Sequence, residues 1–347
     1  MPLLDVQGLG IAFPRARPVQ DLSFTVDPGE TVALVGESGS GKSLTALALM
    51  RLLPPRGRIE SGTIRFDGHD IGPLSERRFR EIRGREIAMV FQEPMTALNP
   101  VLTVGVQIAE VLRRHEGLSS RAARARAIEL LDRVRIPDPH RRVDAYPHQL
   151  SGGMRQRVMI AVAVACAPKL LIADEPTTAL DVTIQAQVLD LIDSLRRDLG
   201  MAVLLITHDL GVVGQWADRV VVMYAGRRVE EAEPDALFDR PLHPYTQGLL
   251  AASPRGRAAS HGEVLRGEAL PEIPGSIASA QGQPGCAFAP RCPRVEPGCR
   301  AAPPPALVRP DGRIVACPVT TPAARPALAP RTSGLRQEAY HDAALGL

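Results

Sequence analysis

"GESGSGKS" occupies residues 36–43 and fits the pattern G-x-x-x-x-G-K-[ST]. The glycines Gly36, Gly39 and Gly41 free the backbone to wrap closely round phosphate oxygens, with several N–H groups pointing inward. Lys42 is placed to reach the β- and γ-phosphates, and Ser43 offers a hydroxyl to Mg²⁺. Ser38, Ser40 and Leu44 complete the expected nucleotide contact. A chance Gly-rich turn needs no particular flanks, whereas this one has both that the chemistry requires. The apolar run "TVALV" ahead of it reads as a strand. The pattern "SLTALALMRLL" after it reads as a helix, whose positive N-terminus faces the same anion.

A second apolar run, "LLIADE" at residues 170–175, ends in two carboxylates. A buried strand of an open α/β sheet delivers such groups to its C-terminal end, where ligands bind. Asp174 can then hold Mg²⁺ through water, and Glu175 can polarise the water that attacks the γ-phosphate. An Asp-Glu pair ending a strand is otherwise an ordinary turn, so the phosphate loop gives this pair its chemistry. His208, in "ITHD", closes another apolar strand. It can hydrogen-bond a γ-phosphate and sense its loss, or serve a structural role.

The 347 residues exceed one average domain. Hydrophobic content of 45% and charged content of 23% suit a globular chain with a real core, and 3% aromatics make that core aliphatic. With 41 basic and 38 acidic residues, the net charge of +3 is too balanced to imply nucleic acid. A bilayer span needs about 20 apolar residues. The longest apolar stretch, Val158 to Ala167, falls well short, and "MPLLDVQGLG" lacks the basic start of a signal peptide. These features point to the cytoplasm, with membrane contact only through a partner.

Residues 1 to about 75 read as short strands of antiparallel character. From Val104 to about Ile136 the apolar spacing turns helical; Ser119 or Ser120 can cap its second helix and Pro137 stops it. Buried strands alternating with helices follow, as in a parallel α/β core, and "DRVVVMYAGRRVEEA" reads as a hairpin. After Ser253, Pro, Gly, Ala and Arg dominate and periodicity is lost.

"LSGGMRQR", residues 150–157, strongly resembles the signature of ABC-transporter ATPases. The order of motifs also matches that family: phosphate loop, Gln92 in "FQEP", signature, "LLIADEP", "ALD" ending at Asp181, then His208. The resemblance covers residues 1 to about 250. It implies an α/β P-loop ABC ATPase with a RecA-like core, an antiparallel β subdomain and an inserted helical subdomain over about 94–167, together spanning 1–253. Ser151, Gly152 and Gly153 start a helix and form a second anion site. In the family, this site closes over the ATP held by a second ATPase subunit, so one copy of each motif implies a dimer, with Asp181 at its seam. Gln92 would contact Mg²⁺ and the attacking water, and its loop leads into the block that docks transmembrane subunits. Phe13 is the candidate for stacking on adenine, or else a core residue.

"RPLHPYTQGLLAASP" at 240–254, "FQEPMTALNPV" at 91–101 and "TTALDVTIQAQVLDLI" resemble the oligopeptide/dipeptide importer branch. That resemblance implies a heterodimer of ATPases, two permease subunits, an extracytoplasmic substrate-binding protein, no nucleic acid, and a peripheral place on the cytoplasmic face of the inner membrane. Related systems carry nickel complexes or glutathione, and a soluble ABC ATPase acting on the ribosome or on nucleic acid is the rival class. The branch also carries a small irregular C-terminal extension, here 254–320, ahead of an expected flexible tail at 321–347. Four of the five cysteines lie in it: Cys286, Cys292, Cys299 and Cys317, spaced C-x5-C-x6-C-x17-C. Zinc sites favour C-x2–4-C pairs, and disulfides are disfavoured in the cytoplasm. The branch resemblance implies a [4Fe–4S] cluster; zinc and unliganded or redox-active thiols are the alternatives. Cys166, in an apolar helical stretch, reads as a packing residue.

Overall fold

The computed structural model describes residues 1–178, 181–253, 272–280 and 282–319. The N-terminal strands β1 (Leu4–Phe13), β2 (Ala16–Val26), β4 (Arg58–Phe66) and β5 (His69–Asp70) form an antiparallel sheet in the order β2-β1-β4-β5. The second sheet is built round β3 (Thr31–Val35), with β6 (Ile87–Val90), β7 (Leu170–Asp174), β8 (Ala202–Thr207), β9 (Arg219–Tyr224) and β10 (Arg227–Ala232). Its order is β10-β9-β3-β8-β7-β6, parallel from β9 to β6, with β10 returning antiparallel to β9 as the expected hairpin.

The strand residues explain why this sheet is covered on both faces. Every position of β3, β7 and β8 is buried. In β8, Ala202, Leu204 and Ile206 pack toward the antiparallel sheet and α1 (Lys42–Leu49), while Val203 and Leu205 face the helical layer. Strand side chains alternate, so a continuously apolar strand needs a layer on each side. The second layer includes α7 (Gly152–Ala163) and α8 (Val182–Leu199).

The helical block runs from α3 (Pro94–Ala97) through α4 (Val104–Glu116), α5 (Ser120–Arg133) and α6 (Pro139–Arg142) to α7. Val104, Ile108 and Leu112 of α4 and Ala123, Ala127, Leu130 and Leu131 of α5 join one core, as their three- and four-residue spacing requires. Ser119 is the cap of α5, its Oγ accepting from the Ala122 N–H at 3.3 Å. The helix ends at Arg133, short of Pro137.

Two expectations change. The helix carrying the signature stops at Ala163, so Cys166 lies in the turn beyond it, half-buried. Burial pushes its thiol up to about 11. The extension is also less irregular and less separate than its composition suggests. It holds α12 (Pro297–Ala301) and the short strands β11 (Leu307–Val308) and β12 (Ile314–Val315). β12 pairs with β10 through Glu230↔Val315 and Glu231↔Ile314, which carries the core sheet into the extension. β10 would otherwise be an open edge with unpaired backbone groups. Strands of two residues are too short to announce themselves by alternation. The expected tail at 321–347 lies outside the described residues. Among the described residues no helix is long and apolar enough to cross a membrane.

Candidate nucleotide site

The parallel strands β3, β7 and β8 end on one edge of the sheet, and each delivers a predicted residue there. The phosphate loop follows β3 and runs into α1. Gly36 has φ 153°, and a Cβ there would lie 2.2 Å from the Met223 carbonyl. Gly41 has φ 99°, and its Cβ would meet the Pro18 carbonyl at 2.7 Å. Both positions therefore demand glycine. Lys42 is buried, and its Nζ folds back over the loop to donate to the carbonyls of Gly36 at 2.8 Å and Glu37 at 3.0 Å. Burial pushes this ammonium down, opposed by the carboxylates of Glu175, Asp174 and Glu37. Ser40 is fully buried under the loop, Leu44 packs on the core, and Ser38 and Gly39 are exposed.

β7 places Asp174 beside the loop, where Ser43 Oγ donates to its Oδ1 at 3.0 Å. Burial pushes the Asp174 carboxyl up, the Ser43 hydrogen bond works the other way, and neighbouring Glu175 adds to the rise. A cation between these oxygens would relieve that strain on the charged form. Mg²⁺ takes one or two carboxylates together with substrate phosphates, so a dedicated protein cage is not needed.

Glu175 leaves the strand with φ 46°, a left-handed conformation uncommon for a residue with a side chain. Its N–H donates to the Ile206 carbonyl at 2.9 Å, which anchors this turn to β8. Three neighbours hold its carboxylate. Gln92 Nε2 donates to Oε2 at 3.1 Å, Thr178 Oγ1 donates to the same oxygen at 2.8 Å, and His208 Nδ1 lies 3.3 Å from Oε1. Gln92, Glu175 and His208 are thus brought together from three separate strands. Thr178 was not foreseen; its signal is a hydroxyl three residues past the carboxylate, within reach across one turn.

The signature residues begin α7. Ser151 Oγ accepts from the Met154 N–H at 3.3 Å, and Gly152 and Gly153 leave the helix start open, with a Cβ on Gly153 reaching Ile184 of α8 at 3.0 Å. Asp181 caps that same α8, accepting from the Ile184 N–H at 2.9 Å. The rest of the "ALD" motif, residues 179–180, lies outside the described residues. Among the described residues no hydrogen bond joins Ser151, Gly152 or Gly153 to the phosphate loop. Phe13 lines an open groove of about 520 Å³ with Arg15, Arg17 and Glu60, one edge of its ring lying against Gly57.

The four extension cysteines converge. The Cys286 N–H donates to the Cys299 carbonyl at 2.7 Å. Burial pushes up the thiols of Cys286, Cys292 and Cys317, and each also responds to other cysteines of the set. No disulfide joins them. The expected metal site is not seen: among the described residues no three His, Cys, Asp or Glu side chains are grouped to hold a metal ion. Sequence reasoning also missed what lies between these cysteines. Arg291 reaches back to the phosphate loop and forms a two-pronged ion pair with Glu37, at 2.8 and 3.1 Å.

Comparison with known proteins agrees with this fold. Residues 19–178 match the family described as ABC transporter, and residues 229–299 match the oligopeptide/dipeptide transporter C-terminal region. The chain is 54% identical over 326 residues to a "Putative peptide import ATP-binding protein" of Brucella abortus (strain 2308), covering 92% of this chain and 96% of that one. A protein of the same description from Brucella melitensis is 56% identical over 302 residues, covering 84% and 89%. Among solved structures, the dimeric post-hydrolysis state of the ATP-binding cassette MJ0796 bound to ADP and Pi aligns with TM-score 0.60 and 27% identity, over 67% of this chain and 98% of that one. The cbiO1 component of the cbiONQ transporter from Clostridium perfringens aligns with TM-score 0.60 and 28% identity, over 68% and 90%.

Proposed function

Because the chain belongs to the ABC-transporter ATP-binding family, in its oligopeptide/dipeptide branch, we propose that it is the ATP-hydrolysing subunit that powers a peptide importer. The arrangement round Glu175 carries this reading: a carboxylate steadied by Gln92, Thr178 and His208 at the same sheet edge as the phosphate loop. The loop amides and Lys42 take the β- and γ-phosphates, and Phe13 stacks on adenine. Ser43, Asp174 and Gln92 would hold Mg²⁺, which would supply positive charge against the phosphates of bound ATP. Gln92 turning toward the nucleotide would remove one of the two donors on Oε2 of Glu175 and leave Thr178 to hold that oxygen in place. Glu175 then accepts a proton from a water attacking the γ-phosphorus in line, and the bond to the ADP oxygen breaks to give ADP and phosphate. His208 donates to the γ-phosphate and loses that contact on its departure.

Membrane permease subunits are the partners through which such a subunit acts. We take the finer assembly to be two permeases, an extracytoplasmic binding protein and a second, non-identical ATPase, with this chain on the cytoplasmic face. Ser151, Gly152 and Gly153 close over the ATP of the second ATPase, and Asp181 lies at the seam. The open helix start of α7 supports this, since among the described residues the Gly152 and Gly153 amides have no hydrogen-bond partner. Binding closes the pair, and hydrolysis with product release reopens it.

Convergence of Cys286, Cys292, Cys299 and Cys317 supports a [4Fe–4S] site. A zinc tetrahedron needs its sulfurs about 3.8 Å apart, whereas a four-iron cube holds its thiolates farther apart. ATP hydrolysis requires no electron, so the role of these cysteines is structural or in docking. Uptake of labelled peptides into vesicles containing the reconstituted complex, with ATP supplied on this chain's side, tests the reading. Uptake that follows ATP supports it; uptake of a nickel complex or glutathione in place of peptides refutes the cargo.

A further inference from the structure

Among the described residues the extension reaches the phosphate loop through Arg291, with Ile277 also close to Gly39, and the Arg291 contact is dense. Arg291 lies in the turn between Cys286 and Cys292, its side chain only 4% exposed. Its NH1 and NH2 donate to the two oxygens of Glu37 at 2.8 and 3.1 Å. Nε donates to the Pro274 carbonyl at 2.8 Å, NH2 also to Ile273 at 3.1 Å, and NH1 lies 3.4 Å from the Tyr224 hydroxyl. All three guanidinium nitrogens are therefore used.

Glu37 is the second residue of the phosphate loop, and its other groups are tied as well. Its N–H donates to the Tyr245 hydroxyl at 2.8 Å, and its carbonyl accepts from Lys42 Nζ at 3.0 Å. Tyr245, Tyr224 and Phe288 pack ring against ring at centroid distances of 4.7 to 5.5 Å, which roots Arg291 and the loop in one aromatic cluster. Charge-assisted, forked pairs of this kind fix geometry as well as adding energy.

We infer that Arg291 is a positioning residue for the ATP site: acting through Glu37, the cysteine-bearing extension holds the phosphate loop in its nucleotide-ready shape and so sets nucleotide affinity. The pair stands apart from the hydrolytic group, since neither residue touches Gln92, Glu175 or His208 by any hydrogen bond among the described residues. The inference rests on the nucleotide reading of the loop. It predicts a change in binding with little change in the chemical step.

The test uses the full chain in the assembled transporter, with a fluorescent ATP analogue for affinity and phosphate release for turnover. Arg291→Met should weaken binding and raise KM for ATP about tenfold, with kcat within about twofold of wild type. Arg291→Lys, which keeps the charge and loses the fork, should recover part of the affinity. Glu37→Gln should weaken binding alike, and the double variant should be no worse than Arg291→Met alone. Should Arg291→Met fail to fold, Glu37→Gln and Arg291→Lys carry the test. Folded variants with wild-type affinity, or single effects that add independently, overturn the inference. Wild-type protein that binds no ATP analogue would instead sink the nucleotide reading itself.

Discussion

Gln92 Nε2 donates to Oε2 of Glu175 at 3.1 Å, joining the loop that enters the helical block to the carboxylate proposed as the base. On the proposed function, a movement of the helical block would reach Glu175 through this side chain. Gln92→Ala should lower kcat of the assembled transporter by about tenfold or more, with the affinity for ATP held within about twofold. Parallel measurement of phosphate release and analogue binding checks it; equal losses in both would make Gln92 a binding residue only.

Acid should weaken the fold through His243. This ring is buried, and its Nδ1 accepts from the Tyr245 N–H at 3.0 Å, which requires the neutral form. Burial holds its pKa down at about 3, against an ordinary value of 6.5. The unfolded chain therefore takes up a proton that the folded chain refuses between those values. Stability is whole above the ordinary value and falls as pH drops toward the folded one, by at most about 1.4 kcal/mol per pH unit from this group. Urea midpoints measured from pH 7.5 to 5 should fall in the wild type and fall less steeply in His243→Asn.

Phe288 makes the extension part of the core. It is 2% exposed, with Tyr224, Tyr245 and His243 around it. Phe288→Ala should cost about 3–5 kcal/mol in urea unfolding. An extension that is a separate module would instead give a second transition, leaving the main one unmoved.

Protein purified without oxygen should carry about four iron and four sulfide per chain, as one cube held by four thiolates requires. Replacing Cys299 by Ser should lower both. Zinc in place of iron, or neither metal with the extension still folded, would remove the cluster from the account.

Much of this was legible in the residues themselves. The phosphate loop, the acidic pair and His208 each follow an apolar strand, and parallel strands must end together, so their convergence follows from the pattern. The helical block announced itself by spacing and caps. Thr178 and Arg291 did not, because their partners are set by a turn and by a contact 254 residues apart in sequence. Cys166 looked helical because Val164 and Ala165 continue the apolar run of α7, yet that helix stops at Ala163. β12 was invisible because two residues carry no period, and its partner β10 lies far upstream.

Phosphate release by the assembled transporter carrying Glu175→Gln tests the central claim most directly. The substitution keeps the shape and hydrogen-bonding reach of the side chain but removes the base. Hydrolysis should fall by about 10² to 10⁴-fold, with ATP still bound at wild-type strength. Hydrolysis that survives at the wild-type rate would contradict the assignment of Glu175 and the mechanism built on it.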